Sequence, residues 1–91
     1  MQFAWDETKA SSNLRKHGVS FLEAGTIFDD PLAITYDDPD HSDDEDRFIT
    51  LGFSKQNRLL IVSHTARAGL TRITSARPTT RQERSHCEDP E

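Results

Sequence analysis

The chain has 91 residues, enough for one domain with a modest core, and it is polar throughout: 33% apolar, 30% charged, mean hydropathy −0.75. A net charge of −5 argues against a protein that coats nucleic acid indiscriminately, and a lone cysteine, Cys87, rules out an internal disulfide. No apolar run approaches the ~18 residues of a membrane span, and the polar first ten residues lead us to expect an unexported, cytoplasmic protein.

The elements follow from local signals. Phe3 and Trp5 flank a short extended segment, and Asp6 is placed to cap a helix that runs through Lys16 and His17 to Gly18, a good C-terminal stop. Ser20 and Glu23 match a capping box that opens a second helix, with Phe21, Ala24, Gly25 and Phe28 on one buried stripe. Asp29-Asp30-Pro31 ends it. A short strand at 32–36 precedes an acidic loop, 37–46, that is too charged to pack. Residues 47–53, 58–65 and 70–76 are β-branched and aromatic runs joined by short connections, which predicts an antiparallel meander. Beyond Pro78, Thr80 and Glu83 predict a short C-terminal helix, and the tail 87–91 is expected to fray. The fold class is therefore α+β: a small antiparallel sheet of three to four strands, two N-terminal helices and a short C-terminal one, all in a single domain, 1–91.

Charge is divided along this chain. Residues 1–46 carry three cations against twelve acids, net −9; residues 47–91 carry eight cations against four acids, net +4. Seven of those eight are Arg, whose planar fork suits phosphate. Strict alternation puts Arg72, Thr74 and Ala76 on one face of the last strand and Thr71, Ile73, Ser75 and Arg77 on the other, with Leu60, Val62 and His64 sharing a face of the strand before. Two readings are open: Arg72, Arg77 and His64 gather around a phosphate, or each is an ordinary solvent-facing residue. Lys16 and His17 likewise either stand at the edge of a cleft or offset the negative helix end, a contribution of roughly 0.3–1 kcal/mol. The loop around His41 holds enough carboxylates for Ca²⁺ or Mg²⁺ but lacks the spacing and glycine of an EF-hand, so we expect no metal and no cofactor. No nucleophile elbow, phosphate-cradling Gly-rich loop, zinc-protease motif or cysteine pair is present.

The block F-x-W-D-x-x-K-x-x-x-N-x-x-K-H-G-V-x-F, Phe3 to Phe21, resembles the opening signature of the BrnT toxins. The resemblance continues through Phe28 to Pro31, Asp40 to Ser42, Arg47, Gly52, Val62 to Thr65, the run R-I-x-S-A-R from Arg72 to Arg77, and Glu83-Arg84. It departs at Pro78-Thr79-Thr80, at Asp46 where Glu is usual, and at Cys87 where members commonly carry Tyr.

This resemblance implies a RelE-like fold and a toxin of a type II toxin–antitoxin system, a metal-independent endoribonuclease that stops translation and growth. It implies a BrnA-type ribbon-helix-helix antitoxin as partner, in a 2:2 complex that binds promoter DNA through the antitoxin, and RNA as substrate. Carried onto this sequence, it assigns Arg72, Arg77 and Arg47 to the phosphorane, His64 or His17 to proton transfer, and Lys16 and Arg84 to flanking phosphates. The alternative is a weakened homologue that serves mainly as an antitoxin-binding co-repressor.

Overall fold

The computed structural model describes residues 2–38 and 46–80. Strand β1 (Phe3–Ala4) leads into α1 (Glu7–His17), which Asp6 caps: its Oδ1 accepts from the Thr8 amide at 2.7 Å and the Lys9 amide at 3.4 Å. Gly18 closes the helix in the left-handed region, φ 70°, where its N–H reaches the Leu14 carbonyl at 2.9 Å. Helix α2 (Phe21–Thr26) starts under the Ser20 hydroxyl, which accepts from the Glu23 amide at 3.0 Å, and runs into a 3-10 turn, Ile27–Asp29. Only half of the capping box is seen, because the Glu23 carboxylate is taken up elsewhere.

Strands β2 (Ile34–Asp37), β3 (Asp46–Phe53), β4 (Leu59–Arg67) and β5 (Leu70–Pro78) form the antiparallel part of the sheet. The β4–β5 connection is the two-residue turn Ala68-Gly69, both at positive φ, which matches the twist of paired strands. The strand order is β1-β5-β4-β3-β2, and β1 lies parallel to β5, Phe3 beside Thr71 and Ala4 beside Arg72. Among the described residues the sheet is thus five-stranded and mixed, not antiparallel with three to four strands. Two residues are too few to carry a periodic signal, and their partner lies almost seventy positions away. The C-terminal helix and fraying tail expected beyond Thr80, and residues 39–45 of the acidic loop, lie outside the described residues.

Both helices cover one face of the sheet. Val19, Phe21, Ala24 and Ile27 meet Leu60, Val62, Ile73 and Ala76, and the larger of these contribute about 1.5–3 kcal/mol each by leaving water. Phe3, Trp5, Ala10 and Phe28 pack around the margin. Gly52 is needed where the 3-10 turn crosses β3: an added Cβ would meet the Ala33 Cβ at 3.0 Å and the Ile27 carbonyl at 3.3 Å.

Two polar clamps lock helices to sheet. Asn13, buried, donates to the carbonyls of Val19 (3.0 Å) and Ala76 (2.8 Å) and accepts from the Ala76 amide at 3.0 Å. Its amide continues the sheet edge past the end of β1, satisfying β5 backbone groups that a neighbouring strand would otherwise pair. Glu23 accepts from the Ser54 hydroxyl at 2.7 Å and from Arg58 Nε at 2.9 Å, with Arg58 Nη2 also pairing its second oxygen and the Gly18 carbonyl. These bonds hold the Glu23 carboxyl below its ordinary pKa, Arg58 contributing most, against the opposing effect of burial. Arg58 is therefore a structural cation.

Candidate nucleic-acid interface

The opposite face of the sheet carries no described helix. Its side chains are set by register. Arg47 stands opposite Thr65, and Thr65 opposite Arg72, so the three form one row across β3, β4 and β5. Ile49, Ser63 and Ser75 form the next row, and Leu51, Ile61 and Arg77 the one after.

This arrangement depends on a bulge. Ser63 faces Ser75 but His64 faces Ile73, which leaves Thr74 as an extra residue in β5; its hydroxyl donates to the Ser63 carbonyl at 3.1 Å. Strict alternation divides Arg72 from Arg77. The bulge reverses the phase, so both arginines share the outer face while Ile73 and Ala76 turn to the core. Arg77 remains about 13 Å from the Arg47–Thr65–Arg72 row along the strands, at ~3.3 Å per residue, and its guanidinium also donates to the Pro78 carbonyl at 3.3 Å.

Thr65 is the distinctive member of the row. It is only 4% exposed, yet its Oγ1 is buried with no hydrogen-bond partner among the described residues. An unsatisfied buried hydroxyl is destabilising by about 1–3 kcal/mol. Here it lies between two exposed arginines, Arg47 and Arg72. An oxyanion seated on the row would accept from the hydroxyl and from guanidinium N–H groups on either side.

His64 does not join them. It projects from the core face, with Nε2 2.7 Å from Thr50 Oγ1, which is itself 2.7 Å from Thr35 Oγ1. The ring stacks on Phe48 at 5.8 Å and meets Phe28 edge-on at 5.0 Å. Burial pushes its pKa below 6.5, which favours the neutral imidazole. The expectation that Arg72, Arg77 and His64 surround one phosphate is corrected accordingly: the sheet itself separates His64 from the arginines. Lys16 and His17 are exposed at the end of α1, where they line a cleft against β5 with Thr74 and Ser75. Arg84 lies outside the described residues.

Sequence reasoning gives Thr65 no role of its own. Alternation puts it on the face of Leu59, Ile61 and Ser63, opposite His64, but which face is wet follows only from the packing, and its arginine neighbours only from the pairing of three strands.

A family model described as the ribonuclease toxin, BrnT, of type II toxin–antitoxin systems matches residues 5–83. The chain belongs to the BrnT family. Membership brings RNA as substrate and a protein antitoxin as partner, and the matched span includes every element from α1 to β5. The fold is also similar to the 1.1 Å crystal structure of the Brucella abortus ribonuclease toxin BrnT, with a TM-score of 0.69 at 21% identity, covering 89% of this chain and 99% of that one. No curated protein matches the sequence. No helix among the described residues is long and apolar enough to cross a membrane.

Proposed function

We propose that this BrnT-family chain is an endoribonuclease that cleaves RNA without a metal ion, using Arg47, Thr65 and Arg72 to hold the scissile phosphate. The buried Thr65 hydroxyl, unpaired among the described residues and set between two arginines, carries this reading. A polar group left unsatisfied in the free protein gains most when an anion arrives.

The reaction is an internal transesterification. The ribose 2′-oxygen attacks the adjacent phosphorus as its proton leaves, and the bond to the 5′-oxygen breaks as that oxygen takes a proton. The products carry a 2′,3′-cyclic phosphate and a 5′-hydroxyl. Negative charge builds on the equatorial oxygens of the phosphorane, and prearranged guanidinium groups and a hydroxyl stabilise that charge better than water does. Among the described residues no imidazole shares the arginine face, so charge stabilisation dominates and water moves the protons. Arg77 extends the cationic track along the same face.

The protein acts in the cytoplasm as a RelE-like toxin that arrests growth. Its antitoxin is a basic ribbon-helix-helix protein of the BrnA type, bound in a 2:2 complex. The acidic residues of the N-terminal half, net −9 through residue 46, suit such a partner. Incubating the purified chain with single-stranded RNA in EDTA, alongside Arg72→Ala, tests the activity. Intact RNA with retained antitoxin binding would favour the co-repressor reading.

A further inference from the structure

Residues Lys9, Ser12, Asn13, Lys16 and His17 fall at i, i+3, i+4, i+7 and i+8 of α1, the spacing of one helix face. Such a stripe is normally apolar when it faces a sheet. Here it is polar and cationic, and it borders a cleft of about 250 Å³ whose other wall is Thr74 and Ser75 of β5. Asn13 is the floor, spent on the Ala76 backbone. The remaining lining offers two ammonium groups, the Ser12 and Ser75 hydroxyls and an imidazole, with no carboxylate among the described residues; the Thr74 hydroxyl is spent on the Ser63 carbonyl. Lys9, Lys16, His17 and Ser75 are all exposed to solvent.

We infer that this cleft is a second phosphate subsite, which holds the backbone of the substrate RNA beside the cleaved linkage. The inference rests on the ribonuclease reading for its choice of anion. Lysine is a compact point charge suited to phosphate that must be held but not oriented, and the Ser12 and Ser75 hydroxyls supply neutral donors. Ser75 connects the two sites. It lines the cleft and, through the bulge at Thr74, also stands on the outer face between the Arg72 and Arg77 positions. A single strand leaving the arginine row can therefore pass over β5 at Ser75 and lay its next phosphates between α1 and the strand edge. The bulge serves both sites: it brings Ser75 onto the arginine face and opens the edge that Lys16 and His17 overhang.

The test uses the full chain and a 2′-deoxy-substituted RNA oligonucleotide that cannot be cleaved, with binding followed by anisotropy as a function of salt. Lys9→Ala/Lys16→Ala should weaken binding about tenfold and flatten the slope of log K against log salt by about 1.4, near 0.7 for each phosphate no longer neutralised. Arg15→Ala, which removes a cation from the same last turn but off the stripe, should leave the slope unchanged. Cleavage of a dinucleotide, which has only the scissile phosphate, should be unaffected by the double substitution, while on longer RNA the same substitution raises KM. An unchanged slope, or an equal loss with Arg15→Ala, overturns the subsite; so does equal loss on the dinucleotide. If the wild type binds with the expected slope yet cleaves nothing, the subsite stands and the ribonuclease reading fails.

Discussion

Replacing Thr65 by valine should make the protein more stable and less active. The hydroxyl is buried and has no partner among the described residues, so valine removes an unsatisfied group and substitutes a methyl of nearly the same size in a strand that favours β-branched residues. Relief of an orphaned hydroxyl is worth about 1–3 kcal/mol. With the residue 4% exposed, some loss on seating the new methyl is expected, which leaves a gain of about 1 kcal/mol. For a domain this size that corresponds to a Tm rise of about 4–8 °C. Function should move the other way. A hydrogen bond to a charged phosphate contributes about 1.5–3 kcal/mol, so RNA cleavage should fall by about tenfold to a hundredfold. Thr65→Ser should invert the pattern, keeping activity while losing about 1 kcal/mol with its methyl. Urea unfolding and single-turnover cleavage on the same preparations measure both. A destabilised Thr65→Val would mean that the hydroxyl is satisfied in the free protein. A stabilised but fully active one would mean that it serves no ligand.

Other perturbations read the remaining parts of the structure. Asn13→Ala removes three hydrogen bonds and should destabilise by about 2–4 kcal/mol, at about 1 kcal/mol each; Asn13→Asp, which turns a carboxylate toward two carbonyls, should be at least as unstable at pH 7 and recover as pH falls. The His64 imidazole has its folded pKa lowered below 6.5 by burial, so the unfolded chain binds the proton first and stability should fall as pH drops below about 6.5. His64→Gln should flatten that limb in pH-dependent urea titrations. Glu23→Gln should destabilise by about 2 kcal/mol, less than a fully buried pair because Arg58 keeps over a third of its side chain in water, and should remove an acid-side loss that begins below pH 4.5 as the depressed Glu23 carboxyl is protonated. Calorimetry that found Asn13→Ala or Glu23→Gln as stable as wild type would contradict the corresponding clamp.

Much of the fold is legible in the sequence because its signals are local. Asp6 and Gly18 bracket α1, Ser20 opens α2, and β-branched runs mark β3, β4 and β5, since each device acts within a few residues of itself. What local signals miss is the pairing of distant positions. The parallel pairing of Phe3–Ala4 with β5, the use of Asn13 as a stand-in strand and the capture of Glu23 by Arg58 all join residues far apart in the chain. The site is harder still. Period-two alternation is broken by one extra residue, Thr74, so it puts Arg77 and Ser75 on the wrong face relative to Arg72. His64 keeps the face that alternation gives it, but only the packing of Phe28 and Phe48 shows that this face is the dry one.

A row of two arginines and a buried hydroxyl, in the proposed reaction, stabilises a phosphorane without metal help. The most direct measurement is the end chemistry and rate of RNA cleavage in EDTA by the wild type, Arg47→Ala and Arg72→Ala. The ends should be 2′,3′-cyclic phosphate and 5′-hydroxyl, with each arginine substitution lowering the rate by about 10²–10³-fold. Full activity in both variants, or 3′-hydroxyl ends that appear only when a divalent cation is added, would contradict it.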